Sequence, residues 1–464
     1  MEYIKYVIIG SGPAGLGAAY RLKELGEDNF VVLEKTDRIG GLSTSFIDDH
    51  GFTWDIGGHV LFSHYKYFDE LMHNALGKDG WLHHHRESWI WIEGRFVPYP
   101  FQNNIRYLSK ESMWYCLRGL IETIQDTNHA KRNNFMEWIE ARFGEGIAKK
   151  FMAPYNYKVW AYPPQEMAYQ WIGERVNLTD IERVLESILF EKDDHSWGPN
   201  NTFRFPKAGG TGAIWYSVAN LVGLKHVRLN TNVIRIKSKE KKVELSNGDV
   251  IEYQYLLSTM PLDILTSIVA GVPEELRETA GGLMHSTSHI VGIGLRGKPK
   301  DELSTKCWMY FPESDCPFYR VTVFSNYSPN NVPDINQYWS LMTETSESPR
   351  KPVDGSTLIE ETINGLLNTK LIESRSDIVS IWTHTANYGY PVPSLKRDAI
   401  INALIPTLDN LEVYSRGRFG GWKYEVGNQD HSLLQGVEWV NSIVLGIPEI
   451  TYPFPTIANS NYAK

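Results

Sequence analysis

Along the chain the apolar positions change period several times, and each change predicts a different element. Residues 3–9 (YIKYVII) are a short β-rich run that stops at a glycine cluster. From Ala14 to Leu25 the apolar residues Leu16, Ala19, Tyr20 and Leu22 recur at helical spacing, and Gly26 supplies a stop. Phe30 to Leu33 is a second buried strand, closing at Glu34. This strand–helix–strand opening predicts a parallel sheet covered by helices.

The middle of the chain reads differently. Residues from about 65 to 190 look mainly helical, with amphipathic stretches at 133–143 and 146–152 separated by Gly144 and ended by Pro154. Thr179 to Glu182 has the pattern of a capping box, and Ile181, Val184, Leu185, Ile188 and Leu189 continue it as an apolar stripe. Residues 227–258 switch to strand patterning, and Asn247-Gly248 between two apolar-alternating runs predicts a hairpin. Further β-rich runs follow near 288–295, 307–311, 318–324 and 337–342. The chain then closes with a strand at 411–414, a loop, and a helix over 432–445.

Composition narrows the class. A chain of 464 residues can bury a large core, and its formal net charge of -9 disfavours nucleic acid as a partner. The three cysteines, Cys116, Cys307 and Cys316, form no C-x-x-C pair, so a reducing, cytoplasmic setting is expected. No apolar run reaches the length that spans a bilayer, so no membrane partner is expected. With 15 Trp and 25 Tyr, the chain has aromatic side chains enough for both a core and a ligand pocket. His83, His84 and His85 are consecutive, so their side chains diverge and no shared metal ion is expected there.

The glycine cluster carries the first chemistry. Gly10, Gly12 and Gly15 follow a strand and open a helix, with Pro13 and Ala14 in the first turn, and Glu34 ends the next strand. That order suits a tight turn, close approach of a pyrophosphate to the helix N-terminus, and an acid for ribose hydroxyls. Three later segments favour FAD over NAD: Gly40-Gly41-Leu42, Gly57-Gly58-His59, and the run from Gly427 through Asn428 and Gln429 to His431 ahead of a helix. Together they resemble the glutathione-reductase-like flavoprotein pattern. The fold class expected is therefore α/β, a Rossmann-like FAD-binding domain with an inserted helical domain and an antiparallel β-sheet domain. The boundaries read as 1–100, 195–265 and 405–464 for a discontinuous FAD domain, 101–194 for the helical domain, and 266–404 for the sheet domain with flanking helices.

Five stretches extend the resemblance over nearly the whole chain: GGHVLFSHYKYFD at 57–69, VPYPFQNN at 97–104, WGPNNTFRFP at 197–206, CPFYRVTVFSNYS at 316–328 and RGRFGGWKYEVGNQDH at 416–431. By these the sequence resembles the UDP-galactopyranose mutase family, in its larger eukaryotic-type form. The resemblance implies a flavin-dependent isomerase that interconverts UDP-galactopyranose and UDP-galactofuranose. In that family the N5 atom of reduced FAD attacks the anomeric carbon, UDP leaves and stays bound, and the covalent flavin–sugar adduct opens and recloses through O4. NADPH or NADH is the implied reductant, and monomer and homo-oligomer are both left open.

Roles for individual residues follow from the same resemblance. Arg175 and Arg320 match the arginines that clamp the diphosphate, a task suited to the bidentate guanidinium fork. Tyr310, Tyr327, Tyr390 and Tyr424 match hydroxyl donors to the phosphates, with Arg418 beside them. Tyr99, Phe101, Gln102, Asn156 and Trp160 match the uridine pocket, and Asn200, Trp308 and Asn428 would lie near the sugar. His59 would sit on the loop facing the flavin. Gly41, Leu42, Gly57, Gly58, Val233, Gly427 and Gln429 would join the Gly10–Gly15 loop and Glu34 in holding the cofactor. Tyr162 and the stretch 382–388 depart from the family pattern near the predicted pocket. Two further readings stay open: an FAD-dependent oxidoreductase acting on a nucleotide sugar, and a mutase for a different UDP-sugar.

Overall fold

The computed structural model describes residues 2–125, 132–173, 176, 178, 180–194 and 202–460. Strand β1 (Glu2–Ile9) leads into helix α1 (Pro13–Glu24) and strand β2 (Phe30–Leu33), as the opening pattern predicts. β1 pairs in parallel with β2 on one side and with Val250–Ser258 on the other. All four residues of β2 are buried, which explains its unbroken apolar run: both faces of the sheet are covered. Val227–Arg228 lies beyond β2, and Val413–Ser415 joins Val250–Ser258 in parallel. Val233–Lys237, Lys242–Leu245 and Val269–Ala270 complete an eight-stranded sheet drawn from three distant stretches of chain.

The predicted hairpin is present. Val243 faces Ile251 and Glu244 faces Val250, and Gly248 takes a φ of +91° in the turn. Helix α1 is clasped by the helix Gln429–Val440 at very short range. A Cβ at Gly17 would meet the Leu433 carbonyl oxygen at 2.4 Å, and one at Gly436 would meet that of Ala14 at 2.0 Å. Glycine at these two positions lets one helix lie directly on the backbone of the other.

A second, seven-stranded sheet runs in the order Ile378–Pro391, His285–Arg296, Tyr338–Glu347, Arg320–Val323, Trp308–Tyr310, Ser88–Ile92, Arg95–Pro98. Its neighbours are antiparallel except Trp308–Tyr310 and Ser88–Ile92, which run in parallel. The 14-residue strand Ile378–Pro391 has no counterpart among the predicted runs. It is an edge strand, paired only with His285–Arg296, and its polar residues alternate into solvent, so it carries no continuous apolar signal.

Two details of the helical stretch differ from expectation. Residues 81–98 hold three strands, Trp81–His85, Ser88–Ile92 and Arg95–Pro98. Pro154 does not end the helical run; it lies in the first turn of Ala153–Trp160, where its missing N–H needs no partner. The Gly144 break is real: its φ of 71° kinks the helix Phe135–Ile147. The helix Ile181–Leu189 is capped by Asp180, whose side chain accepts from the Glu182 amide; Thr179 lies outside the described residues. Among the described residues, no helix is long and apolar enough to cross a membrane.

The helix clasp generates a test. Replacing Gly436 with Ala forces backbone apart and should destabilise the protein by about 1–3 kcal/mol. Gly355→Ala, at a position with open space around the added Cβ, should leave the melting temperature unchanged. Thermal melts of both variants check the pair.

Candidate active site

The first half of the site is the groove over β1 and α1. Gly10 takes a φ of +100°, donates to the Leu33 carbonyl at 2.8 Å, and has Thr259 Oγ1 only 2.2 Å from where a Cβ would stand. A Cβ at Gly15 would fall 1.9 Å from the Gly10 carbonyl oxygen. At Gly12 the nearest atom to an added Cβ is the Gly40 carbonyl oxygen at 3.9 Å, so this glycine borders open space. Gly12 is also the N-cap of α1, ahead of Pro13 and the buried Ala14, so unpaired helix N–H groups converge on that space. The geometry fits a pyrophosphate.

Glu34 differs in detail from its expected task. Its Oε2 accepts from the Ser11 amide at 3.0 Å and hydroxyl at 2.9 Å, and its Oε1 from the Thr36 amide at 3.0 Å and hydroxyl at 2.8 Å. The carboxylate braces the glycine loop, and a ribose hydroxyl would have to share it with those donors. Gly41, with a φ of 56°, stacks over Gly12 at 3.4 Å from Gly12 Cα to the position of an added Cβ. Leu42 packs against the core of the first sheet, and Val233 opens the strand Val233–Lys237.

At the other end of the groove, Gly427 leads to Asn428, the N-cap of the helix Gln429–Val440, whose side-chain oxygen accepts no capping bond from its own helix. Gln429 Oε1 accepts from Trp215 Nε1 at 2.8 Å, which fixes the helix start. The next residue, Asp430, is buried and accepts from the His64 amide at 3.0 Å while meeting His64 Nδ1 at 2.8 Å. His64, Asp430 and His431 form the one grouping with metal-like spacing among the described residues. Their arrangement ties the segment after Gly57-Gly58-His59 to the helix. In the His83–His85 strand, the side chains do alternate: His84 Nε2 meets the Tyr327 carbonyl at 2.8 Å while His83 and His85 face solvent.

Gly57, Gly58 and His59 lie flush against the second sheet. The Gly58 amide donates to Glu344 Oε1 at 2.9 Å, and a Cβ at Gly57 would meet Glu344 Oε2 at 2.9 Å. Glu344 in turn pairs with Arg320, Nε to Oε1 at 2.6 Å and Nη2 to Oε2 at 2.5 Å, and accepts from the Tyr319 hydroxyl at 2.8 Å. Strand register puts Arg320 directly opposite Glu344. Burial works to raise the Glu344 carboxyl, but Arg320 and the donated hydrogen bonds outweigh it and hold the group below its ordinary range. His59 has its Nδ1 enclosed without a partner, and burial, reinforced by the Arg320 and Arg418 cations against Glu344, pushes its imidazole down to about 4.

Above this pair the predicted substrate residues gather. Arg320 Nη2 comes within 3.5 Å of the Tyr390 hydroxyl, and its guanidinium lies 4.6 Å from the Trp308 ring centre. Arg418 lies 5.0 Å from the Tyr390 ring centre and 5.3 Å from that of Tyr424, and donates to the carbonyls of Gly427 and Gly389. Trp160 meets Tyr424 at 4.8 Å and Tyr390 at 5.6 Å, ring to ring. On the other flank Tyr310 lies 5.4 Å from Tyr99 and 5.1 Å from Tyr155. Arg86 donates to the Tyr310 hydroxyl at 2.9 Å and sits 5.1 Å from the Trp308 ring centre.

Other predicted residues lie less openly. Phe101 and Gln102 are buried, Phe101 against Phe151 at 4.8 Å, and Asn156 donates to the Met152 carbonyl at 2.8 Å within its own helical run. Tyr327 is fully enclosed among Phe203, Phe205 and Phe324, with its hydroxyl unpartnered. Arg175 and Asn200 lie outside the described residues. Glu344, Tyr319 and Arg86 join the site without having been expected there from the sequence. Glu344 had a signal: a carboxylate in the otherwise apolar or hydroxylated run 338–346 belongs to a buried strand and needs a cation opposite.

Residues 13–350 match the family described as flavin containing amine oxidoreductase. The whole fold superposes on a crystal structure of reduced UDP-galactopyranose mutase with a TM-score of 0.95 at 47% identity, covering 98% of this chain and 97% of that one. A probable flavin-containing monoamine oxidase A of Dictyostelium discoideum is 25% identical over 276 residues, which are 55% of this chain and 57% of that protein. The flavin-containing amine oxidase A of Bos taurus is 23% identical over 56% of this chain and 50% of its own length, so the chain spans about half the length of the curated relatives it matches. A putrescine oxidase structure, at 14% identity and a TM-score of 0.65, shares the fold. Joined to a groove that fits FAD from Gly10 to Gln429, this likeness over nearly every residue makes the chain a member of the UDP-galactopyranose mutase family, within the flavin-containing amine oxidoreductase fold.

Proposed function

We propose that this chain is a flavin-dependent isomerase that interconverts UDP-galactopyranose and UDP-galactofuranose. When bound, reduced FAD supplies the nucleophile that takes the place of UDP at the anomeric carbon. The residues of the chain supply orientation and charge. The observation that carries the reading is the pair of guanidinium groups that meet Tyr390, Arg320 at its hydroxyl and Arg418 at its ring. Breaking the bond from sugar to diphosphate builds negative charge on the departing oxygen. Fixed cations and phenolic donors stabilise that charge without having to reorganise. They also keep UDP in place for its return to the sugar.

The aromatic rings divide the remaining work. Trp160, Tyr424 and Tyr390 wall one side of the cations, while Tyr99, Tyr155 and Tyr310 form an apolar flank with hydroxyl tips suited to a uridine. Asn428 stands at the helix start, where its side chain can reach a sugar hydroxyl. Arg175 and Asn200 are assigned by their motifs to the diphosphate and the sugar. The depressed imidazole of His59 is neutral at pH 7, so it packs as a flat, uncharged ring beside the cofactor end of the site. NADPH or NADH serves as hydride donor when the flavin must be reduced.

The oxidase-type relatives favour a second reading, oxidation of an amine or a nucleotide sugar. Charge argues against the amine: Arg418 makes its bonds to carbonyls and faces aromatic rings, so its positive charge is left to repel an ammonium group. The discriminating experiment is anaerobic incubation of dithionite-reduced enzyme with UDP-galactofuranose. Isomerisation by reduced enzyme alone is expected; bleaching of oxidised flavin by substrate, with peroxide formed in air, would overturn the assignment.

Two quantitative expectations follow from the site. Arg320→Ala should lower kcat/KM by about 10²–10³-fold while the visible flavin spectrum is retained; unchanged turnover removes Arg320 from the diphosphate. The second concerns His59. Its imidazole is depressed from 6.5 to about 4 in the folded chain, so the unfolded chain binds the proton first as pH falls. Its contribution to stability is therefore full above pH 6.5 and is lost progressively as pH falls toward 4. His59→Gln should lose less melting temperature than the parent across that window, as followed by the release of flavin fluorescence.

A further inference from the structure

Glu344 belongs to neither the predicted cofactor set nor the predicted substrate set, yet it touches both. Its two oxygens accept from four donors: Arg320 Nε and Nη2, the Tyr319 hydroxyl and the Gly58 amide. A carboxylate offers about four acceptor positions, so this one is full. Three donors come from Tyr319 and Arg320, where the strand Arg320–Val323 begins. The fourth comes from the segment that faces the cofactor.

That segment is held at both ends. Gly58 rests on Glu344, and six residues later the His64 amide rests on Asp430 at the start of the helix Gln429–Val440. Beneath Gly58 lie two buried polar atoms with no partner, Thr322 Oγ1 and Trp308 Nε1. They are close: an added Cβ on Gly58 would stand 2.6 Å from Thr322 Oγ1 and 3.5 Å from Trp308 Nε1. Unpaired buried groups are expensive and call for an explanation. Here a spare acceptor and a spare donor lie on the Cα side of Gly58, next to the amide that Glu344 holds, so polar partners for a second seat of the segment are at hand. A small shift moves the Gly58 amide from Glu344 Oε1 toward Thr322 Oγ1 and lets Trp308 Nε1 donate to the oxygen it vacates.

We propose that Glu344 is a positioning residue that couples anion occupancy at Arg320 to the seat of the Gly57–His59 segment. The inference rests on the reading of Arg320 as a diphosphate ligand. Arg320 shares its positive charge between whatever anions face it. With only Glu344 present, the carboxylate is largely satisfied by the guanidinium. A diphosphate drawing on the same guanidinium weakens that hold, and Glu344 leans harder on its remaining donors, Gly58 and Tyr319. The segment is then pinned in its first seat. Linkage is reciprocal, so the seat of Gly58 must in turn alter the affinity of Arg320 for the anion.

The test uses UDP as the probe on the FAD-loaded enzyme and reads hydrogen exchange of the backbone amides at 57–61. Saturating UDP should slow exchange of the Gly58 amide by a factor on the order of tenfold, within the usual range of coupling between sites. In Glu344→Gln, which keeps the shape and an acceptor but loses the charge, the UDP effect should disappear while UDP and FAD still bind. A purely structural role would change the exchange rate with and without UDP alike. Should Glu344→Gln fail to hold FAD, Thr322→Val leaves the ion pair intact and removes the second seat, and it too should abolish the UDP effect. UDP bound with equal protection in parent and variant overturns the coupling alone. Failure of the parent to bind UDP overturns the reading of the diphosphate site, and the coupling with it.

Discussion

A guanidinium enclosed by protein needs an opposite charge at bonding distance, and the site is arranged around the one that Arg320 has found in Glu344. The two face each other across adjacent strands of the second sheet, so their pairing is as firm as the register. Removing one partner of such a pair costs about 3–5 kcal/mol, because the other is left charged and unsolvated. The pair brings its surroundings with it. Tyr319 turns its hydroxyl to the carboxylate, Trp308 lies against the guanidinium, and a side chain is shut out at Gly57 by the carboxylate and at Gly58 by the Thr322 hydroxyl.

Neutralising Arg320 also decides where net charge remains. Arg418 faces two tyrosine rings and two carbonyls with no carboxylate partner among the described residues. Arg320 therefore offers geometry, a fixed fork with an edge turned to Tyr390, while Arg418 offers the unbalanced positive charge. A neutral His59 adds no third cation beside them.

How far the sequence reveals this depends on distance along the chain. The opening βαβ unit was legible because its cause is local: strand, glycine turn and helix lie within 33 residues, and Gly15 answers to Gly10 and Ile8 close by. The hairpin at Asn247-Gly248 was legible for the same reason. The strand Ile378–Pro391 was not, because an edge strand with one solvated face keeps too few apolar positions to show a period. Pro154 misled because a proline that stops one helix and one that starts the next look alike until the backbone before it is known. The aromatic and arginine residues of the pocket came from motif resemblance, and Arg320, Arg418, Tyr390, Tyr424 and Trp160 are gathered in the structure. Glu344 stands 286 residues from Gly58, and no local rule links them.

That long separation reflects the architecture. The first sheet and its helices build a groove that fits the cofactor, and Arg418 follows its strand Val413–Ser415, while the second sheet carries Arg320. Chemistry between a sugar and a flavin requires the two to be registered to within a fraction of a bond length. Between Gly57 and His64 the chain crosses from one to the other, resting on Glu344 of the second sheet and on Asp430 of the helix that clasps α1. Two buried carboxylates, each with its own cationic or imidazole partner, thus set the distance between the halves. Each accepts from a main-chain amide of the crossing segment, and Asp430 also meets the His64 ring, so the crossing can be both short and exact in length. A side chain at either glycine would lift the segment from the sheet and open that distance.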